Sequence, residues 1–138
     1  MKMSIKSAKT SDLKLLARMN LRLIRDEKHR NPMGVPALQR RMARWLKGEY
    51  RATLFQACEI TVGYCLFKRE PGYWYLRHFF IDRPFRRMGW GRTAFSLMRR
   101  KVWKKPGRVR VEVLTANRRG RLFWKSLGFS EYCLTLER

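Results

Sequence analysis

The chain predicts a mixed α/β (α+β) fold, with elements in the order β-α-α-β-β-β-α-β-α-β. Three observations support this. Apolar residues recur at helical spacing in two early segments. The middle of the chain is strand-forming and punctuated by turns. In the second half, strands alternate with helices. The 138 residues fit one domain, 1–138, and no linker, low-complexity stretch or internal repeat divides them.

Residues 2–8 read as a short first strand. Thr10, Ser11 and Asp12 supply cap chemistry for a helix running to about Asp26, with Leu13, Leu16, Ala17 and Ile24 on one face. Residues 29–35 contain Asn-Pro and Met-Gly and read as a loop. Pro36 suits the first turn of a second helix, where its missing N–H costs nothing. Leu38, Met42, Trp45 and Leu46 repeat at helical spacing there, and Gly48 can end the helix. Residues 50–57 and 60–69 form two strand-like runs around Cys58-Glu59, the pattern of a hairpin. Glu70-Pro71-Gly72 is a turn, and residues 73–81 make an aromatic-rich strand. A glycine-containing loop follows, then a helix over 93–103, broken by Pro106-Gly107. In the next strand, 109–114, Val109, Val111 and Val113 alternate with Arg110 and Glu112. A short helix over 118–127 stops at Gly128, and residues 129–136 read as a final strand.

Charge is the unusual bulk feature. Lys and Arg total 33 against 10 acids, a formal net charge of +23. Such a field favours polyanionic partners: nucleic acid, anionic lipid or phosphorylated small molecules. Between Arg83 and Arg121 there are fourteen Lys or Arg and a single acid, Glu112. Cys58, Cys65 and Cys133 form no C-x-x-C pair and are odd in number, so reduced, packed thiols are expected rather than a disulfide framework or a zinc site. With only two histidines, no metal site is expected. No apolar run approaches the ~20 residues of a membrane helix. The N-terminus lacks a long apolar signal stretch. A cytoplasmic location without membrane insertion is therefore expected.

The segment Arg86-Arg87-Met88-Gly89-Trp90-Gly91 carries the chemistry. Gly89 and Gly91 sit where a loop enters a helix, and glycine permits close backbone approach to a ligand. Free N–H groups at a helix start bind phosphate. Arg86, Arg87 and Arg92 add guanidinium groups that match phosphate geometry. The physical expectation is a pyrophosphate cradle; a tight turn required only for packing is the alternative. A Walker loop is excluded, because no Gly-Lys-Ser/Thr ending occurs. A dinucleotide fingerprint lacks its third glycine, with Ala94 in that place, and the loop does not open the first βα unit.

The run Phe79-Phe80-Ile81-Asp82-Arg83-Pro84-Phe85-Arg86-Arg87-Met88-Gly89-Trp90-Gly91 resembles motif A of the GNAT superfamily of N-acetyltransferases, a strand followed by Gln/Arg-x-x-Gly-x-Gly/Ala. Leu114-Thr115-Ala116-Asn117, followed by Phe123-Trp124-Lys125-Ser126-Leu127-Gly128-Phe129, resembles motif B of the same family. The two motifs stand in the family's order, and the element order agrees along the whole chain. The resemblance implies a single domain with a central, splayed, mixed but mostly antiparallel sheet flanked by helices. It also implies acetyl-CoA as acyl donor. Main-chain groups of Phe79, Phe80 and Ile81 would pair with the pantetheine arm. Amides of Arg86, Arg87, Met88, Gly89, Trp90 and Gly91, with Arg92 and Thr93, would hold the pyrophosphate. Asn117 would bond the pantetheine, and Phe123 and Trp124 would line the cofactor near its sulfur. The Ile81 N–H is the expected donor to the thioester oxygen. Many such domains dimerise through their last strands, so a homodimer is a further expectation.

Acid–base roles are less determined. The family's frequent acid, a motif B tyrosine, is replaced here by Trp124, whose indole is no proton donor. Tyr132 is a substitute if it folds back toward the sulfur. A thiolate also leaves without help, since thiols have a pKa of ~8.5. For the base, His78 titrates near neutrality. Strand alternation puts His78 with Leu76 and Phe80, and Tyr75 and Arg77 with Phe79 and Ile81. A bulge would re-aim one of them. Asp26 and Glu27, at the end of the first helix, would bind a cationic amine or else pair with Arg22, Arg25 or Lys28. Tyr75, with Trp45 and Trp74, would wall the acceptor pocket or belong to the core.

The leading expectation is acetyl transfer from acetyl-CoA to a primary amine. Arg99, Arg100, Lys101, Lys104, Lys105, Arg108 and Arg110 form a patch larger than one CoA requires. That patch motivates a second reading, an RNA- or ribosome-associated protein on this scaffold. A CoA binder with weak catalysis is the third, suggested by Trp124.

Overall fold

The strands of the observed sheet come from strand-forming segments, and the central β2 and β3, covered on both faces, are buried in near-continuous runs. The computed structural model describes residues 2–105 and 107–138. In chain order the elements are β1 (Met3–Ser7), a 3-10 turn (Thr10–Asp12), α1 (Leu13–Asp26), α2 (Val35–Lys47), β2 (Arg51–Ala57), β3 (Ile60–Glu70) and β4 (Tyr73–Ile81). A second 3-10 turn (Arg83–Phe85), α3 (Trp90–Lys101), β5 (Arg108–Val111) and α4 (Arg118–Ser126) follow. The sheet order is β1-β2-β3-β4-β5. The first three pairings are antiparallel and β4–β5 is parallel.

Two helical layers cover the sheet. α1 and α2 bury Leu16, Met19 and Met42 against Leu54, Tyr64, Leu66 and Phe80. On the other face, α3 and α4 pack Ala94, Leu97, Met98 and Trp124 against Phe55, Cys65, Phe67, Trp74 and Leu76. The thiol of Cys65 is fully buried, which raises its pKa.

The β2–β3 hairpin turns at Cys58 and Glu59, both with positive φ (51° and 64°), the backbone that a tight two-residue hairpin requires. Several boundaries differ from expectation, three of them in ways that matter to the fold. The Thr10–Asp12 cap segment is itself a 3-10 turn, with the Lys9 N–H donating to Asp12 Oδ2. α3 begins three residues earlier than expected, at Trp90, and β5 ends three residues earlier, at Val111. The expected break at Pro106 lies outside the described residues.

The strand expected over 129–136 does not form. Phe129 packs into the core beside Phe95 and Trp124, but residues 130–138 are exposed. Tyr132, Leu134 and Leu136 alternate as a strand would, yet stand 68%, 70% and 83% exposed. Alternation specifies a strand only where a sheet edge and an apolar face receive it.

Candidate active site

Two parallel strands part company to open the site. β5 pairs only with the first half of β4, from Tyr73↔Arg108 to Leu76↔Val111. Beyond Leu76 the outer edge of β4 runs on without β5. The Asp82 N–H donates to Val62 O at 2.8 Å, toward β3. Backbone groups alternate in direction along a strand, so the N–H and C=O groups of Phe79 and Ile81 point to the open edge. Arg86 Nε occupies one of these, donating to Ile81 O at 2.8 Å.

At the end of this edge lies the glycine loop. Gly89 is the N-cap of α3, at φ 79°, and a Cβ there would meet nothing within 4 Å. Helix geometry leaves the N–H groups of Gly89, Trp90, Gly91 and Arg92 without intrahelical acceptors. The Thr93 N–H and Oγ1 both donate to Gly89 O, at 3.1 Å each, which fixes the first turn. Gly91 serves packing: a Cβ there would lie 2.9 Å from Phe123 Cε1. The two glycines thus have separate physical causes, left-handed backbone at 89 and close helix approach at 91.

The arginines of the loop divide. Arg86 Nη2 donates to Asp26 Oδ2, and Arg83 donates to Asp26 Oδ1 at 3.2 Å. Asp26 therefore ties the end of α1 to the loop, through partners other than Arg22, Arg25 or Lys28. Asp82 caps the turn that follows it and accepts from Arg22 at 2.8 Å. Arg92 reaches across to Ser126 O at 3.1 Å, pinning α4. Arg87 sits at φ 64° and Met88 is exposed at the loop tip.

Opposite the loop, Asn117 is the N-cap of α4 and accepts from the Gly120 N–H at 3.0 Å. Its Nδ2 donates to Glu27 Oε2 at 3.5 Å. Burial raises the Glu27 pKa, the Asp26 charge adds to the rise, and Asn117 opposes it. Phe123 stacks on Phe79, ring centroids 5.9 Å apart at 28°. Asp26, Glu27, Phe79, Ile81, Arg86, Gly91, Asn117 and Phe123 thus converge, although α1 and α4 lie ninety residues apart in sequence.

Four expected residues sit elsewhere. Trp124 is not a lining residue: it is buried among Phe79, Phe95, Phe123 and Phe129. Phe80 offers only its backbone, since its ring is buried in the α1–α2 core. Tyr132 lies over Arg110, which also covers Tyr73. Tyr73 is eight residues from Ile81 along β4, ~26 Å at strand rise, so Tyr132 does not fold back toward the site.

His78 is the fourth, and a bulge decides its place. Leu66 pairs with His78 but Phe67 pairs with Leu76, so Arg77 is the extra residue. Past the bulge His78 turns to the α1–α2 side, away from the face of Leu76. There its Nδ1 lies 3.0 Å from the Tyr64 hydroxyl and its ring edge meets Trp45. Burial, reinforced by Arg41 and Arg77, pushes its pKa down to about 3. Such a ring is neutral and weakly basic at pH 7.

Sequence reasoning passed over Glu112. Tyr75 OH donates to Glu112 Oε1, and burial followed by this carboxylate raises the tyrosine pKa. As the one acid between Arg83 and Arg121, Glu112 was the available signal. Among the described residues no group of three His, Cys, Asp or Glu is placed to hold a metal ion, and no helix is long and apolar enough to cross a membrane.

The family described as "Acetyltransferase (GNAT) family" matches residues 20–129. No curated protein matches the sequence. Among solved structures, a possible acetyltransferase from Clostridium difficile 630 superposes with TM-score 0.82 at 15% identity, covering 100% of this chain and 97% of that one. An aminoglycoside N-acetyltransferase in complex with CoA gives TM-score 0.77 at 15% identity, covering 99% and 94%. A predicted acetyltransferase with acetyl-CoA from Clostridium acetobutylicum gives 0.75 at 15%, covering 99% and 96%. At these identities the structures establish a shared fold.

Proposed function

We propose, from the premise that the chain belongs to the acetyltransferase (GNAT) family, that it moves an acetyl group from acetyl-CoA to a primary amine. The observation that carries this reading is the open edge of β4 ending at the start of α3, whose first N–H groups no side chain caps. An extended pantetheine arm pairs with the edge at Phe79 and Ile81. The pyrophosphate sits on the N–H groups of Gly89 to Arg92, at the positive end of the helix dipole. A CoA-bound relative supports the assignment of donor, since the solved aminoglycoside N-acetyltransferase is in complex with CoA.

The chain's own groups suit direct transfer. The Ile81 N–H faces the open edge, where the thioester oxygen would gain negative charge. The acceptor enters beside Glu27, whose raised pKa suits it to hold or take a proton from an ammonium group. The amine nitrogen bonds to the carbonyl carbon, the carbon–sulfur bond breaks, and CoA leaves as thiolate, which takes up the second proton that the nitrogen sheds in becoming an amide. Asn117 acts as a positioning residue, holding Glu27 and starting α4. His78 is not assigned the base role, because its basicity is spent on burial.

A CoA binder with weak catalysis is the second reading, favoured by the burial of Trp124 where a hydroxyl donor is expected. Calorimetry with acetyl-CoA and desulfo-CoA tests the donor site. Micromolar binding is expected, and Gly89→Glu should abolish it by placing bulk and negative charge in the cradle. Absence of binding to either ligand would refute the donor assignment. A thiol-release screen over amines then separates the two readings: binding without turnover favours the binder.

A further inference from the structure

The pole of the molecule opposite the glycine loop is built from chain ends that all arrive there. β1 and β3 end at this pole; β2, β4 and β5 begin there. The last turn of α3 and the chain after it join them, ~18 Å along the helix from Gly89. The cations brought together are Lys6, Arg51, Arg99, Arg100, Lys101, Lys104, Lys105 and Arg108. Their acidic neighbours, Glu49 and Glu70, are both held by Lys68. Among the described residues Arg99, Arg100, Lys104, Lys105 and Arg108 form no ion pair with an acid.

The charge there lines a shallow, largely open depression. Arg99, Arg100, Trp103, Lys104, Lys105 and Gly107 line a surface cavity of about 500 Å³. A helix C-terminus accounts for some cations, since the dipole favours them in the last turn. It does not account for Lys104, Lys105 and Arg108, which lie beyond that turn, nor for the hollow they share.

We infer that this pole is a docking surface for the phosphate backbone of a double-stranded nucleic acid. A duplex backbone is a convex ridge of closely spaced negative charge, and a cationic hollow is its complement. The cavity lining selects the duplex: Trp103 in it and Trp74 beside it are 3% and 5% exposed, and the exposed ring of Tyr132 nearby carries Arg110 on its face, whereas unpaired strands are held by free aromatic rings. A membrane fits less well. None of the exposed large apolar residues lines the cavity, and Tyr132, which comes near this pole, lies against Arg110. Contacts of this kind read phosphate position rather than base sequence. The surface is separate from the proposed donor site and would hold the enzyme beside its acceptor.

The test is fluorescence anisotropy with labelled 20-base-pair RNA and DNA duplexes, at 50 and 200 mM salt. The wild-type chain should bind at least one duplex, and six phosphate contacts would cost about 10³-fold in affinity across that range. The triple variant Arg99→Glu, Arg100→Glu, Lys104→Glu should lose at least about 30-fold, while acetyl-CoA binding stays within about 3-fold and the melting temperature does not fall. The control triple Arg18→Glu, Arg40→Glu, Arg44→Glu makes the same charge change on α1 and α2 and should lose less than about 3-fold. Equal losses in the two triples would overturn the inference in favour of a diffuse field. Displacement of the duplex by saturating CoA would overturn it by placing the nucleic acid on the glycine loop. Failure to bind either duplex would also sink it, as would charge-triple-sensitive binding only to vesicles of 70:30 phosphatidylcholine:phosphatidylserine. Loss of acetyl-CoA binding in wild type would instead indict the donor assignment alone.

Discussion

At His78 a single inserted residue converts a candidate base into a structural group. The bulge at Arg77 turns the imidazole into the α1–α2 core, where Tyr64 meets it and burial lowers its pKa to about 3. The unfolded chain takes a proton near pH 6.5, the folded chain only near 3. His78 therefore contributes stability that is complete above about pH 6.5 and lost as pH falls toward 3, at no more than about 1.4 kcal/mol per pH unit. His78→Gln, which keeps an acceptor for Tyr64, should flatten the fall in stability between pH 6.5 and 4 in urea titrations. Glu27 has the opposite sign, its raised pKa favouring the folded state at lower pH, so the comparison must be made against wild type at each pH. The two loop glycines separate by readout as well. Gly91→Ala should cost about 1–3 kcal/mol, because Phe123 must move. Gly89→Ala should cost about 1–2 kcal/mol of backbone strain, with no clash. Thermal melts measure the two costs. Periodicity and glycine position made both residues visible in the sequence. The bulge was not visible, because a one-residue register shift leaves no mark in composition.

Between elements, the important tie is Asp26. It holds Arg83 and Arg86 from the end of α1, so that the loop before α3 is braced against that helix. Asp26→Asn should weaken acetyl-CoA binding by up to about tenfold by calorimetry, through loss of charge-assisted hydrogen bonds that shape the loop. The C-terminal segment contrasts with it. Residues 131–138 are all exposed, and their contacts are surface ones, Arg30 with Glu137, Arg121 with Glu131 and Arg110 over Tyr132. Such pairs contribute little. Removing residues 131–138 should therefore shift the melting temperature by no more than about 2 °C and leave acetyl-CoA binding intact. Nine of the ten expected strands and helices form, since each carries its own spacing and punctuation. The missing last strand shows the limit of that method, because Tyr132, Leu134 and Leu136 alternate without a partner edge.

For the molecule as a whole, charge outweighs the ion pairs that answer it. Ten acids face 33 Lys and Arg, which leaves a formal +23, and most of the pairs formed are at the surface. Self-repulsion should then destabilise the compact state at low ionic strength. Raising NaCl from 20 to 300 mM should increase the melting temperature, since screening relieves repulsion between exposed like charges. A decrease would mean that attractive pairs dominate. The few acids are also placed unevenly. Asp26, Glu27 and Asp82 gather near the glycine loop, whereas the opposite pole is cationic.

The sequence by itself determined the element order, the two motifs and the glycine loop at a helix start, because spacing and residue type act locally. It also determined the family. Tertiary structure alone decided that β5 leaves β4 at Leu76, opening the edge at Phe79 and Ile81. It decided as well that Asn117 meets Glu27, that Asp26 answers Arg86, and that Trp124 and His78 are packed rather than reactive. Those are contacts between distant segments, fixed by sheet register and helix packing. The segment from Arg86 to Gly91 reads as a phosphate loop in one dimension; the parting of two strands gives it a neighbouring edge to work with.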